Sequence, residues 1–212
     1  AIAAVNEESL VLGTVEIIPQ LILKWVSISK EASNLRGEAF LTYVVDEIVQ
    51  KIAKKAADML VAQIDACGTQ ATTTCVGVPV VTSTTVSIGL IAEAMAKLSD
   101  QATNPVVIMN KATWGEFKKV QANNKYAYDV FEGLDVVFNN TIKSFTAASS
   151  GDTYAIVGDL GEGALMNFPN GEDIEVIADN SSLATSGSAG GFGSDCVGIG
   201  VVGPDAFAKI VK

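Results

Sequence analysis

Between residues 14 and 29 (TVEIIPQLILKWVSIS) apolar side chains fall on alternating positions, Val15 and Ile17 and then Leu21, Leu23 and Trp25. Alternation is the period of a strand with one buried face. Pro19 interrupts the run and lacks the N–H that a ladder needs, which predicts an edge strand or an extended ribbon. From Glu38 to Ala66 the period changes. Leu41, Val45, Ile48, Ile52, Ala56, Met59, Leu60 and Ile64 recur at helical spacing, while Asp46, Glu47, Gln50, Lys51, Lys54, Lys55 and Asp58 supply a polar side. Gly68 is a suitable stop. A helix of this span is roughly 44 Å long at about 1.5 Å per residue, a rod that a small single domain rarely needs. Two shorter helices joined by a kink are the alternative, although no proline or glycine lies within 38–67 to cause one.

Beyond this rod, residues 67–85 are rich in Thr, Val and Gly and read as a loop with short β structure. Ile88, Ile91, Ala92, Met95 and Leu98 predict a second amphipathic helix, with Thr84 or Thr85 as its N-cap. Asn104-Pro105 breaks it, and Val106 to Met109 is a short apolar run of the kind that forms a fully buried strand. Asn110 is placed to cap a third helix carrying Trp114, Phe117 and Val120, with Trp114 and Phe117 expected in the core. Residues 134–142 (LDVVFNNTI) predict a strand, and from about Thr153 onward the texture is mostly strands: TYAIVGD, ALMNF, a Pro-Asn-Gly turn, DIEVIAD, CVGIGVVG and AFAKIVK. The Gly/Ser stretch over 181–194 reads as a long loop that is mobile or ordered by a partner.

Composition narrows the chemistry. The 212 residues are 49% hydrophobic and 18% charged, enough apolar surface for a folded core. There is no histidine, which removes the Ser-His-Asp triad, the Cys-His pair and the HExxH zinc site. Arg36 is the single arginine. The 24 acids and 14 bases give a net charge of -10, which argues against a surface built to grip phosphate backbones. The excess is concentrated in residues 144–212, with 9 acids against 2 bases. Cys67, Cys75 and Cys196 read as buried or idle thiols in a reducing compartment, a short Cys67–Cys75 bridge being the alternative. No apolar run of about 18 residues is present, so no membrane span is expected, and Asn6, Glu7 and Glu8 break up any signal-peptide core.

Two motifs invite a chemical reading. Gly198-Ile199-Gly200-Val201-Val202-Gly203 is a literal GxGxxG. A dinucleotide site needs that pattern to leave a strand and open a helix, yet Pro204 follows at once and nine residues remain, so close strand packing is the better account. Asp159, Glu162, Glu172, Asp173 and Glu175 are candidate oxygen ligands for a cation, but their spacing matches no EF-hand and reads as a solvated acidic rim. The sequons at Asn139 and Asn180 matter only in a secreted chain. No catalytic, cofactor-binding or metal-binding residue is expected.

The order of elements resembles that of the major capsid proteins of tailed bacteriophages, the Hong Kong 97-type fold. Residues 24–32 look like the return strand of that family's extended loop, 38–68 like its spine helix and glycine stop, 104–134 like the axial-domain segment, and 204–211 like the closing strand. The resemblance implies an α+β chain with mixed and antiparallel sheets: the remainder of the extended-loop ribbon (1–31), a peripheral domain (32–84) holding a spine helix over 38–67, an axial domain (85–170), and strands returning between the two (171–212). It implies a structural, non-enzymatic subunit that self-assembles as hexamers and pentamers into an icosahedral shell. That shell encloses DNA without reading its sequence, in the virion and, during assembly, in the bacterial host cytoplasm. It implies subunit contacts along the ribbon, at Ile17, Leu21, Leu23 and Trp25. The chain opens at Ala1 without a methionine, and the family pattern places an arm and an outgoing strand ahead of the ribbon, so an upstream segment is expected. The alternatives are an encapsulin-like nanocompartment shell, a dinucleotide-binding enzyme using Gly198–Gly203, and a secreted β-rich binding module.

Overall fold

In the computed structural model, residues 14–125, 129–169, 171, 174–179 and 188–212 are described. Strand β1 (Gln20–Ser29) begins immediately after Pro19 and leads into α1 (Lys30–Ala66), one continuous helix of 37 residues, about 55 Å at 1.5 Å per residue. The helix therefore starts eight residues before Glu38, where it was expected. Lys30 to Arg36 carries nothing that stops a helix, and Gly37 is tolerated inside one. Along the face that packs against the sheets lie Val44, Ile48, Ile52, Ala56, Met59 and Ile64. Val45, expected on that face, is 40% exposed. The face is set by Ile48 and Ile52, and Val44, four residues before Ile48, stands in line with them.

Then follow β2 (Val80–Thr82), α2 (Leu90–Met95), β3 (Val106–Met109), α3 (Lys111–Asn123), β4 (Asp135–Phe138), β5 (Thr153–Gly158), α4 (Leu160–Gly163), β6 (Ala164–Asn167), β7 (Glu175–Asp179), β8 (Ser188–Val201) and β9 (Phe207–Val211). Helix α2 is shorter than its apolar spacing suggests, and its N-cap is Gly89 with no side-chain cap, because Ser83 and Thr85 close a turn of their own through the Ser83 hydroxyl. Helix α3 begins as expected, with the Asn110 side chain accepting from the Ala112 N–H at 3.0 Å. Strand β4 is four residues long, not nine, since Asn139 turns inward and accepts from the Thr141 N–H at 2.7 Å.

Two sheets share α1. A five-stranded sheet runs β2-β9-β5-β3-β4, with β3 and β4 parallel around the α3 crossover and β5 antiparallel to both β3 and β9. One face packs on α2 and α3 through Val107, Met109, Ala155, Val157 and Phe117. The other packs on the C-terminal half of α1 through Ile108, Ile156, Phe207, Val61 and Ile64. The second sheet is built on β8, which pairs with β1 along one side and with β7 and then β6 along the other, all antiparallel. Its inner face lies on α1 through Ile22, Val197, Ile48, Ile52 and Ala56.

Strand β8 corrects the expectation of a Gly/Ser loop over 181–194. Residues 188–194 are strand, paired with β1 on one side and largely with β7 on the other, while 181–187 lie outside the described residues. A Cβ on Gly193 would meet the side chains of Ile48 and Ile52, and one on Gly191 would press Ile48. These glycines are the flat floor that lets the helix approach the sheet. Asp159 is likewise no rim residue: it is 6% exposed and caps α4 by accepting from the Gly161 N–H at 2.9 Å, and from Asn104 at 2.9 Å. Phe117 is core, but Trp114, expected there too, is 36% exposed.

Candidate subunit interface

The ribbon sheet has one covered face and one open one. On β1 the side chains of Ile22 and Val26 pack with the α1 cluster, so strand alternation turns Leu21, Leu23 and Trp25 outward, where they are 62%, 54% and 43% exposed. Register extends the row across the sheet. Trp25 stands opposite Phe192 of β8, and Phe192 opposite Ile177 of β7, which is 47% exposed. Leu165 of β6, opposite Gly200, adds another exposed apolar side chain on the same face. The result is an exposed apolar row that spans three strands, where single scattered apolar residues are the norm on a surface.

The structure brings Leu21, Leu23 and Trp25 together and sets Ile17 apart. Ile17 is half-buried, lying on β8 where a Cβ on Gly198 or Gly200 would collide with it. The 14–19 segment is held there in part by the Glu16 N–H, which donates to the Thr73 carbonyl at 2.7 Å. This explains the GxGxxG stretch. Gly198 and Gly200 make room for Ile17, Gly203 packs against the Glu162 carbonyl, and the chain continues into β9 with no helix between. No helix N-terminus is presented to a pyrophosphate there. Among the described residues no group of three or more His, Cys, Asp or Glu converges as metal ligands, and no helix is long and apolar enough to cross a membrane.

Sequence reasoning missed Phe192, Ile177 and Leu165. The alternation of EVIAD in β7 carries a weak signal for Ile177, whereas the neighbours that complete the row come from strands about 150 residues away in the chain, which no local pattern reveals.

Polar contacts fix the platform behind this face. On the groove between β1 and α1, about 450 Å³ in volume, stand Lys24, Lys51, Lys54 and Lys55; Lys51 pairs with Glu47 at 3.2 Å and Lys54 with Asp58 at 3.3 Å. Exposed pairs of this kind contribute about 0–1 kcal/mol each. Two deeper links join α1 to the five-stranded sheet. The Asn139 amide donates to Asp58 at 2.8 Å. Lys209, buried on β9, donates its Nζ to the carbonyls of Asp65 at 2.8 Å and Cys67 at 2.5 Å, placing a cation on the orphan carbonyls at the end of α1. Burial pushes the Cys67 thiol upward, with a hydrogen bond to Cys75 adding to the effect. All three cysteines are free. Asp195, on the inner face of β8 opposite Ile22, keeps Oδ1 buried with no hydrogen-bond partner.

Comparison with known proteins places this arrangement. The sequence model of the phage capsid family matches residues 3–212. No curated protein matches in sequence. Among solved structures, the capsid of an empty GTA particle superposes with a TM-score of 0.70 at 15% identity, covering 92% of this chain and 72% of that one. The capsid of cyanophage P-SCSP1u gives 0.59 at 11% identity, covering 99% and 80%. The holo-SrpI encapsulin complex of Synechococcus elongatus gives 0.63 at 11%, covering 92% and 74%. These likenesses show a shared fold, the Hong Kong 97-type.

Proposed function

Because the chain belongs to the phage capsid family and is a structural subunit of a phage head shell, we propose that it tiles that shell through the outward row Leu21, Leu23 and Trp25 on its ribbon. The observation that carries this reading is the row itself. Two leucines and a tryptophan stand exposed on a sheet whose other face packs on α1 through Ile22, Val26 and Val197. Burying a side chain of this size contributes about 1.5–3 kcal/mol, and a shell repeats the contact many times. Ile17 holds the base of the ribbon on β8, close to the row.

The finer assignments follow the same reading. Subunits gather as hexamers and pentamers in an icosahedral shell that forms in the host cytoplasm. Residues 1–31 are the rest of the extended loop, 32–84 the peripheral domain, 85–170 the axial domain and 171–212 the strands returning between them. Packaged DNA is enclosed without base-specific contact, and the net charge of -10 supports a wall that DNA slides past. The subunit has no catalytic role, in keeping with the absence of histidine. An encapsulin shares the fold, but the family match favours the phage head.

Electron microscopy of the full-length subunit after expression tests this. Closed particles are expected, and they should be lost when Leu23 and Trp25 are both replaced by Ser. Particle formation unchanged by that double substitution would reject the ribbon as the contact.

A further inference from the structure

Two features of the five-stranded layer remain without a role, and each supplies what the other lacks. The first is an aromatic corner. Trp114, in the first turn of α3, and Phe138, the last residue of β4, are 36% and 45% exposed, and their rings meet edge to face at 6.2 Å between centroids. Lys111 holds its Nζ 5.5 Å from the centre of the Phe138 ring, and no ion pair joins it to a carboxylate among the described residues. The remaining lysines of α3 are engaged: Lys118 with Asp129 at 2.6 Å and Lys119 with Glu116 at 2.6 Å.

The second is a shallow apolar groove of about 380 Å³, floored by Ile91 and Met95 of α2, Pro105, Val130 and Leu134, with Glu132 on its rim. Glu132 is exposed and, like Lys111, has no ion-pair partner among the described residues. Corner and groove lie on the same side of the sheet, the side covered by α2 and α3. They sit at opposite ends of β4: Leu134 precedes the strand and Phe138 ends it, a separation of about 13 Å at 3.3 Å per residue. An aromatic corner that far away cannot fill the groove of its own subunit.

We propose that the Trp114–Phe138 corner of one subunit seats in the Ile91–Leu134 groove of the next, with Lys111 meeting Glu132 across the contact. The occupant is a second copy because corner and groove match in apolar character and carry opposite unpaired charges, Lys111 and Glu132, on one chain. A head-to-tail contact of this type builds a ring when the rotation between neighbouring copies closes. Large aromatic side chains bury 150–250 Å² each, which makes them the usual anchors of such contacts. The proposal rests on the shell reading but uses a surface separate from the ribbon.

A charge exchange in the full-length subunit separates the two ideas. Lys111→Glu alone and Glu132→Lys alone should each lower the yield of sedimenting particles by about tenfold, and the double variant should return it to within about twofold of the native level. Circular dichroism melting of the dissociated subunits checks that the exposed substitutions leave folding intact. As a second readout, subunits carrying Phe138→Cys mixed with subunits carrying Val130→Cys should yield a disulfide-linked dimer on assembly, absent from either variant alone. Native assembly by the single-charge variants, or no recovery in the double variant together with no crosslink, overturns this contact while leaving the shell reading intact. Failure of the unsubstituted subunit to form particles would instead reject the shell reading.

Discussion

The ribbon sheet and the five-stranded sheet lean on the same helix but divide their faces differently. Every residue of β5 is buried, and β3 and β9 are nearly so, because helices cover the five-stranded sheet on both sides. Their sequences accordingly run as continuous apolar stretches, as expected of strands with no solvent face. Strand β1 alternates instead, and its outward positions are apolar where a monomer would place polar groups. The five-stranded sheet is closed on both sides, and the ribbon sheet, for which the assembly contact is proposed, keeps one apolar side open. The exception within the five-stranded sheet is its β4 edge, where Phe138 and Val137 are exposed, and that edge carries the second proposed contact.

This contrast is broken most severely by Phe207→Ala. Phe207 is 1% exposed between the sheet and the end of α1, and its truncation should lower unfolding free energy by about 3–5 kcal/mol, measured by urea denaturation of the dissociated subunit. A loss near zero would mean that this sheet is not the self-sufficient core. Gly193→Ala strikes the ribbon sheet on its covered face. The added methyl meets Ile48 and Ile52, so the expected cost is about 1–3 kcal/mol in the same assay, with no gain in assembly.

Asp159→Asn probes the join between α4 and the loop before β3. N–H donation from Asn104, followed by that from Gly161 and Glu162, holds the Asp159 carboxyl below the usual carboxylate range against the opposing effect of burial. A depressed folded-state value means its stabilisation is fully present above about pH 4, the ordinary value for an unfolded aspartate, and is lost as pH falls through the lower folded value. The native subunit should therefore lose stability below pH 4 more steeply than the Asn variant, which should itself be weaker by about 1–2 kcal/mol at pH 7. Parallel acid-unfolding curves for the two proteins would remove Asp159 from this role. Smaller still, and of opposite sign, Asp195→Val should raise the melting temperature by a few degrees, since it replaces a buried carboxylate with an unsatisfied oxygen by a side chain suited to the Ile22 side of α1.

What the sequence disclosed follows from where the ordering forces act. Strand β3, the Asn110-capped α3, β5 and β9 were legible because local pattern and cap decide them. Alternation showed that Leu21, Leu23 and Trp25 share one face of the strand, but not that this face is the one turned away from the helix. The glycine-rich half of β8 was not legible: its conformation is dictated by Ile48 and Ile52 pressing on Gly191 and Gly193 from a helix some 140 residues earlier. Trp114 misled for a related reason. Its spacing to Phe117 fits a core face, but the first turn of α3 lies beside Phe138 at the sheet edge, where Trp114 finds a ring and not an interior. Ile17 shared the period of the ribbon yet precedes Pro19, and the chain there leaves the β1 line to lie across β8.

On the proposed reading, the open ribbon face assembles the subunit and does not fold it. The direct measurement is a paired one on Leu21→Ser/Leu23→Ser/Trp25→Ser: the urea midpoint of the dissociated subunit and the particle yield of the same preparation. The variant's unfolding free energy should stay within about 0.5 kcal/mol of native, as for exposed substitutions, with particles absent. Native particle yield, or subunits that unfold several kcal/mol more easily, would contradict it.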